Sequence, residues 1–384
     1  MENSFNMKTL DTQALKNLAD SLSGGGGSAH ILGVADISRF SEAPERMHPR
    51  NIFPECKSVI AIVQPIPRST YRGITEGTYW PNYTYYSYNR LNTLFRPMVT
   101  YEIARFIEDH GFEAVPVYPG VAETYPNVPQ PLVAGRPLPD IEINVRIAAV
   151  ACGLGEIGWS KVFLHPVYGP RVRIGVILTD AVLAPDPLLP PGALCKRCMK
   201  CVPDCPGAAI PKPGEKPPVK IKIGDQEYEW GDVHMGRCTA THHGLNWRAS
   251  PFMRRYFSGF DFDVTKTAIS ESLAYRIGYT FATAEWGRED GGEFPLNHLN
   301  PYERQILQHT SYFAICGAKG CIRACAEFQE KTKNITQHTF NTPIFPGPKW
   351  SLPPPAEDTT GGIVEKDLHR ERFQDPDRNA GEWK

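Results

Sequence analysis

The sequence predicts a mixed α/β (α+β) fold in which a core of some 190 residues precedes a cysteine-rich module. Short apolar runs at 31–34, 58–63 and 172–179 are typical of buried strands, and the last of them, VRIGVILT, is rich in β-branched residues. Segments at 9–22 and 90–110 repeat apolar residues at helical spacing. The cysteines of the second module begin where these elements end.

The composition is that of an ordinary globular protein. Charged residues make up 22 % of the chain, hydrophobic residues 41 %, and the formal net charge is −1. No whole-molecule field attracts nucleic acid or anionic lipid, so nucleic-acid binding is not expected. Because there is no run of eighteen apolar residues, no signal peptide and no twin arginine, we predict a cytoplasmic protein without a membrane span.

Aromatic residues concentrate after the first predicted strands. Residues 78–90, TYWPNYTYYSYNR, contain five tyrosines and one tryptophan. Rings at this density suit the wall of a pocket for a large flat ligand, with Tyr88 as a candidate contact. A surface loop packed by its own rings is the alternative. The helix predicted over 90–110 ends at Gly111, and its apolar side carries Leu91, Leu94, Phe95, Val99, Ile103 and Phe106.

A further helix over 141–152 leads directly into the sequence GLGEIG, whose glycines are Gly153, Gly155 and Gly158. The dinucleotide-binding fingerprint has the same glycine spacing but follows a strand, so nicotinamide binding is not favoured. A tight turn that lets the backbone approach a ligand is the better interpretation. The three glycines are therefore candidate cofactor contacts.

The run CKRCMKCVPDCP at 195–206 spaces four cysteines by two, two and three residues and ends in proline. This spacing is typical of bacterial iron–sulfur proteins, in which three of the thiolates bind one cluster and the fourth binds another. Zinc sites favour pairs of ligands, and disulfides are rare in the cytoplasm, so both alternatives are less favoured.

The other cysteines complete two clusters. Of the ten cysteines, Cys56 and Cys152 are isolated, and the remaining eight are the number that two [4Fe–4S] clusters require. The crossing pattern of two-cluster ferredoxins gives one cluster the ligands Cys195, Cys198, Cys201 and Cys325. It gives the other cluster the ligands Cys205, Cys238, Cys316 and Cys321. Since clusters pass electrons singly, we expect a receiving site in the preceding core.

These observations divide the chain into four parts. They are an N-terminal helix with a glycine linker at 1–29, a core at 30–190, an iron–sulfur domain at 191–335 and a C-terminal tail at 336–384. The iron–sulfur domain includes a predicted hairpin at 219–230 and a long insertion at 245–310.

Two stretches carry a family resemblance. The segment AAVACGLGEIGWSKVFLHPVYGPRVRIGVILTD at 148–180 and the segment LCKRCMKCVPDCPGAAI at 194–210 resemble the cobalamin-dependent reductive dehalogenases and their relatives, the epoxyqueuosine reductases. The resemblance implies a nitroreductase-like core that encloses base-off cobalamin. It also implies a bacterial-ferredoxin-like insert with two clusters, the nearer of which reduces the cobalt, and a low-potential electron donor such as ferredoxin or flavodoxin.

The resemblance also implies a proton donor. In the dehalogenases this is a tyrosine beside a basic residue, because a nearby cation favours the phenolate. The basic residue is Arg173 or Arg171 in the sequence YGPRVRIG, and the tyrosine is Tyr118, then Tyr125, then Tyr88 in order of fit. In the epoxyqueuosine branch an aspartate does this work. Asp140 and Glu142 lie in that region but do not match its motif.

The chain departs from both branches. Four residues separate Cys316 from Cys321 where the family usually has two, and Ala-Glu follows Cys325 in place of proline. The leading hypothesis is a reductase that cleaves a carbon–heteroatom bond of a small organic substrate, most simply a carbon–halogen bond. The alternatives are an electron-transfer or activating protein for a partner's corrinoid, and reduction of epoxyqueuosine in tRNA. The sequence predicts no oligomeric state.

Overall fold

A computed structural model describes residues 10–23, 31–76, 79, 81–118, 130–139, 141–246, 249, 263–283 and 315–332. Within these ranges the chain is a mixture of helices and strands, as the sequence predicted. The predicted tail at 336–384 and most of the insertion at 245–310 lie outside the described residues. None of the described helices has the length and apolar character that crossing a bilayer requires.

The elements follow one another in chain order with short connections. The strands are β1 Leu32–Asp36, β2 Ser58–Pro65, β3 Ala114–Pro116, β4 Glu156–Ile157, β5 Phe163–Leu164, β6 Val172–Thr179, β7 Val219–Ile223 and β8 Gln226–Trp230. The α-helices are α1 Thr12–Leu22, α2 Arg72–Glu76, α3 Arg96–Glu108, α4 Val145–Ala151, α5 Cys201–Asp204, α6 Met235–His242, α7 Glu271–Thr283, α8 Cys316–Lys319 and α9 Cys321–Thr332.

A four-stranded antiparallel sheet in the order β1-β2-β6-β3 forms the centre of the core. The two central strands pair over their full lengths, with Ile60 opposite Ile177. Almost every residue of both strands is buried. Because neighbouring residues point to opposite faces, the sheet is covered on both sides. Helices α1, α3 and α4 pack against it.

The apolar runs form these strands because they leave little polar side chain to solvate. The predicted runs at 58–63 and 172–179 became β2 and β6, and the hairpin at 219–230 became β7 and β8 around a turn at Gly224. Helix α1 begins at the predicted cap, where the Asp11 carboxylate accepts a hydrogen bond from the Gln13 N–H. The hydrophobic periodicity therefore located these elements correctly.

The helix predicted over 90–110 differs in its first half. Residues Tyr83–Asn89 and Leu91–Phe95 form π-helical turns, and the regular α-helix α3 starts only at Arg96. A π turn contains more residues than an α turn, so it rotates the following side chains away from the predicted face. Leu94 and Phe95 are exposed as a result, and Arg96 is buried in their place.

The second predicted helix is shorter than expected. Helix α4 starts at Val145, because the Asn144 side chain accepts hydrogen bonds from the Arg146 and Ile147 N–H groups. The four residues before Val145 carry no helical structure. The helix still leads into the glycine turn, so the expected order of helix and turn is correct.

The central strands generate a stability prediction. Ile60 is fully buried in β2, and Ile60→Ala should lower the free energy of unfolding by about 2–5 kcal/mol, because it leaves a cavity in a packed core. Urea denaturation measures the change. Val182→Ala, at a side chain that is 77 % exposed, should change stability by less than about 0.5 kcal/mol. Equal effects at both positions would contradict the described core.

Candidate functional site

The cysteine loop has an uncommon backbone conformation. Arg197 and Met199 have φ angles of 52° and 57°, in the left-handed region that costs a non-glycine residue about 1–2 kcal/mol. Lys200 follows with right-handed helical angles and begins α5. Left-handed and right-handed residues in succession turn their N–H groups toward one concave side, as in many iron–sulfur sites. The loop is therefore shaped to surround an anionic group.

The first four predicted ligands lie together. Burial raises the pKa of the Cys325 thiol well above its ordinary value, and the nearby Cys195, Cys201 and Cys198 raise it further. Burial, then Cys195 and Cys198, also raises the pKa of Cys201 to about 12. Helix α9 packs on α5, which brings Cys325 to the loop. We call these four residues the first cysteine group.

The other four predicted ligands form the second cysteine group. Burial raises the pKa of the Cys316 thiol well above its ordinary value, with Cys238, Cys321 and Cys205 as the next causes. Burial also raises the pKa of Cys321, and Cys205, Cys238 and Cys201 contribute. Because Cys201 belongs to the first group, the two groups adjoin.

Iron ligation by these sulfurs stays a prediction. Across the described ranges, no three His, Cys, Asp or Glu side chains converge in a way that could hold a metal ion. In a cubane each thiolate binds a different iron, so the four sulfurs are farther apart than the ligands of one ion. Two adjoining groups of four thiols therefore fit two clusters better than a tetrahedral zinc site.

Backbone N–H groups point at one sulfur in each group. The Trp159 N–H donates to Cys195 Sγ at 3.4 Å, and the Ala209 N–H donates to Cys205 Sγ at 3.4 Å. Such donors stabilise a thiolate, and hydrogen bonds to sulfur adjust the reduction potential of a bound cluster. Both donors lie outside the cysteine run, so the surrounding fold contributes to the site.

Glu156 anchors the cysteine loop to the core. Its side chain is 4 % exposed, and its carboxylate accepts hydrogen bonds from the Leu194 N–H at 2.9 Å and the Cys195 N–H at 3.2 Å. Hydrogen bonds to a charged acceptor are about twice as strong as neutral ones. The GLGEIG sequence was identified for its glycines, whereas its glutamate makes these bonds. A carboxylate inside a buried apolar stretch is the signal that could have revealed it.

The three glycines of the turn approach protein atoms. A Cβ added to Gly155 would lie 2.0 Å from the Leu164 carbonyl oxygen, and one added to Gly158 would lie 3.6 Å from Cys195 Sγ. Gly153 has a φ angle of 73° and ends α4. The tight turn is confirmed, and its backbone packs on β5 and beside the first cysteine group. Contact with a cofactor stays a prediction.

Arg173 and Tyr88 meet beside the second cysteine group. The Arg173 Cζ atom lies 5.6 Å from the centroid of the Tyr88 ring, within range of a cation–π interaction. The other side of Tyr88 meets the His242 ring edge-on at 4.9 Å. The His242 Nδ1 atom lies 3.6 Å from Cys316 Sγ. A continuous row of contacts therefore joins a predicted cluster ligand to the predicted basic residue.

Two buried tyrosines lie in the same region and were missed by sequence reasoning. The Tyr71 and Tyr83 rings pack edge-on, 5.0 Å apart, and both are at most 2 % exposed. Burial raises the pKa of Tyr71 to about 12 against the opposing effects of Arg171 and Arg173. Burial also raises the pKa of Tyr83, where Cys316 and Cys321 are among the further causes. Their only signal was membership of a tyrosine-rich stretch.

The remaining candidates are placed differently. Tyr118, the first choice for the proton donor, follows β3 and is 86 % exposed. Arg171 is 2 % exposed and donates a hydrogen bond to the Ile66 carbonyl. Tyr125 and Asp140 lie outside the described residues, so their roles stay predictions.

A third arginine joins this region without a sequence signal. Arg96 is 5 % exposed and donates to the carbonyl oxygens of Ile174 and Asn92. Burial lowers the pKa of its guanidinium to about 10, and the neighbouring positive charge of Arg173 lowers it further. The region therefore concentrates positive charge.

The two isolated cysteines belong to the core. Cys56 and Cys152 are fully buried, and their thiols donate to the Ser58 and Val59 carbonyl oxygens. Burial raises the pKa of Cys56 to about 11. A buried neutral thiol of this kind packs as a small hydrophobic side chain.

The anchor at Glu156 can be tested directly. Glu156→Ala leaves the Leu194 and Cys195 N–H groups without their acceptor, so we expect less iron per chain after anaerobic reconstitution and faster loss of visible absorbance under a chelator. The exposed Glu227→Ala is the matched control and should bind iron like the parent. Undiminished iron in Glu156→Ala would contradict the anchoring role.

Comparisons with known proteins were made on the whole sequence. No family model matches it. A tetrachloroethene reductive dehalogenase from Desulfitobacterium hafniense is 34 % identical over 131 residues, which are 34 % of this chain and 20 % of that protein. An epoxyqueuosine reductase from Synechococcus sp. (strain RCC307) is 40 % identical over 65 residues, which are 17 % of this chain and 20 % of that protein. The chain thus matches about a fifth of the length of each relative.

Solved structures of both kinds also align. An epoxyqueuosine reductase from Bacillus subtilis covers 87 % of this chain and 87 % of its own, with 15 % identity and a TM-score of 0.40. A catabolic reductive dehalogenase covers 73 % of this chain and 36 % of its own, with 15 % identity and a TM-score of 0.40. From its sequence relatives, the chain belongs to the superfamily that contains the reductive dehalogenases and the epoxyqueuosine reductases.

Proposed function

We propose that this protein is a cobalamin- and iron–sulfur-dependent oxidoreductase that cleaves a carbon–heteroatom bond, most simply by reductive dehalogenation of a small organic substrate. The observation that carries the proposal is the pair of adjoining cysteine groups, one of which contacts the row that leads to Arg173. In this proposal residues 30–190 form the nitroreductase-like core, and residues 191–335 form the ferredoxin-like module.

The residues present fit both cofactors. Two groups of four thiols, with N–H donors to one sulfur in each, have the chemistry that two [4Fe–4S] clusters require. Beside Tyr88 and Tyr85, the Nε atoms of Arg173 and Arg90 are buried and have no hydrogen-bond partner within the described residues. A corrinoid is a flat macrocycle rimmed with amides, which would satisfy such donors. When bound, it would supply a strongly reducing metal centre.

The exposure of the cysteines gives the module a direction. Cys198 in the first group is exposed, and the other seven candidate ligands are partly buried. Cys316 in the second group contacts His242, and Tyr83 lies beside Cys316 and Cys321. Electrons would therefore enter through the first group and leave through the second, toward the core.

Arg173 and Tyr88 would manage the proton. Replacement of a halide by hydrogen consumes two electrons and one proton, and releases the halide ion. Of Tyr118 and Tyr88, the two tyrosine candidates that the structure describes, Tyr88 contacts Arg173. The guanidinium favours the phenolate that remains after the Tyr88 hydroxyl donates its proton. Tyr88 is half-buried, so its hydroxyl can be reprotonated from solvent.

The function is tested by anaerobic reconstitution followed by addition of cobalamin. We expect about eight irons per chain, two cluster signals in electron spin resonance, a base-off cobalt spectrum, and halide release from an organohalide supplied with a low-potential reductant. Cys205→Ala should lose about half of the iron and the halide release. Cys56→Ala, the matched control in the core, should keep both.

A parent that binds no corrinoid would contradict the proposal. Binding of a partner's corrinoid without turnover would instead identify an electron-transfer or activating protein. The match to epoxyqueuosine reductase favours one second candidate, reduction of that base in tRNA. Reduction of epoxyqueuosine-containing tRNA without halide release would select it, although the net charge of −1 provides little general attraction for tRNA.

His242 generates a separate prediction. A thiolate only accepts hydrogen bonds, and burial lowers the pKa of His242 well below its ordinary value, so a neutral ring would carry its proton on Nδ1 and donate to Cys316. His242→Phe removes this donor and keeps a ring against Tyr88. We expect the potential of the second cluster to fall by about 40 mV, the equivalent of a hydrogen bond worth about 1 kcal/mol.

Redox titration followed by spin resonance measures that potential without any turnover. His243→Phe is the matched control, because His243 packs edge-on against His242 and its imidazole is also buried. It should leave the potential unchanged. A potential that stays constant in His242→Phe, with full iron content, would show that the contact with Cys316 does not act on the cluster.

A further inference from the structure

We propose that the exposed side of the cysteine loop is the docking site for an acidic electron-carrier protein. We call it the Cys198 surface and define it by Lys196, Arg197, Cys198 and Lys200. The proposal rests on the proposed function, because the carrier would reduce the cluster of the first cysteine group. It adds the entry point of the electrons, the residues that recognise the donor, and the sign of the donor's charge.

Exposure selects this face of the module. Cys198 is exposed, and so are Lys196, Arg197 and Lys200. The seven other candidate ligands are partly buried. Electron transfer between proteins slows steeply with distance, so a carrier gains most by touching the cluster where a ligand reaches the surface. On the described residues that place is Cys198.

The charge of the surface is positive and only partly neutralised. Arg197 forms a 2.9 Å ion pair with Glu229. In contrast, Lys196 Nζ donates to the Gly192 carbonyl at 2.8 Å, and Lys200 Nζ lies 5.6 Å from the centroid of the Phe328 ring. Neither lysine makes an ion pair with any other residue that the structure describes. Two positive charges therefore face solvent beside the exposed cysteine.

Other charges near the loop leave this excess in place. The one acidic residue between Cys195 and Pro206 is Asp204, which is half-buried in α5. On the neighbouring hairpin, Lys216 pairs with Asp232 and Lys220 pairs with Glu227. The whole chain has a net charge of −1, so the positive patch is a local feature. Such a patch steers a partner of opposite charge to one place.

The lysines are also mounted on a rigid support. Glu156 holds the N–H groups of Leu194 and Cys195 immediately before Lys196, and the Arg197 guanidinium lies 4.7 Å from the centroid of the Trp159 ring. A loop that is already ordered loses little entropy when a partner binds. The structure therefore presents its two free lysines in a fixed arrangement around Cys198.

The test measures electron transfer from an acidic flavodoxin in its hydroquinone form to the anaerobically reconstituted protein. In each transfer the flavin loses one electron to become the semiquinone, and one cluster gains that electron. We expect the second-order rate constant of the parent to fall as salt is added. Lys196→Glu/Lys200→Glu should lower it at least about tenfold at low salt and remove most of the salt dependence. Lys196→Gln/Lys200→Gln should be intermediate.

The matched control is Lys57→Glu/Lys266→Glu, which makes the same change in net charge at two exposed lysines outside the loop. It should keep the parent's rate constant. Iron content and reduction by dithionite must be unchanged in all variants, because neither depends on docking. A rate constant that the loop variants leave unchanged, or that the control lowers equally, would overturn the proposal.

The two levels of the argument fail differently. A parent that holds both clusters and is reduced by dithionite, but takes no electrons from the carrier at any salt concentration, overturns the docking surface alone. A parent that holds no cluster overturns the proposed function, and the docking surface with it.

Discussion

The structure depends on the carboxylate of Glu156. This side chain lies in β4, inside the core, and accepts the N–H groups of Leu194 and Cys195 at the start of the cysteine loop. A buried charge costs several kcal/mol to desolvate, and two charge-assisted hydrogen bonds offset that cost only while the loop stays in place. Because both partners lie in the backbone of the loop, the interaction fixes the position of the loop relative to the core.

The consequences extend in both directions from this contact. On the outer side, the loop presents Cys198 with its flanking lysines to solvent. On the inner side, α9 packs on α5 and brings Cys325 to the first group, while α8 places Cys316 beside His242. The module therefore has an exposed end and a buried end. This polarity supports a path for electrons from the surface to the core.

The inner end has an electrostatic character of its own. Arg96 and Arg173 lie near each other, and their described contacts are with carbonyl oxygens and an aromatic face. Positive charge held in a partly buried place is costly unless an anion, a phenolate or a developing negative charge shares the site. The tyrosines beside these arginines are suitable acidic partners, which agrees with the proposed role in proton transfer.

Local sequence patterns were sufficient for much of this protein. Alternating and continuous apolar runs located β2, β6 and the hairpin, because burial of one or both faces of a strand leaves a direct trace in the sequence. The spacing of Cys195–Cys205 and the count of the distant cysteines predicted two groups, since ligand number and spacing are set by cluster chemistry. The π-helical turns before Arg96 could not be predicted, because no residue pattern marks where a turn widens.

The pairing of distant residues was decided only by the tertiary structure. The sequence determined which residue types could hold clusters and in what order they follow the core. It did not show that Glu156 holds the loop, that Tyr88 lies between Arg173 and His242, or that Tyr71 and Tyr83 lie inside. These contacts join residues from separate elements, and their geometry arises when the helices and strands pack. Periodicity and spacing describe one element at a time and carry no information about that packing.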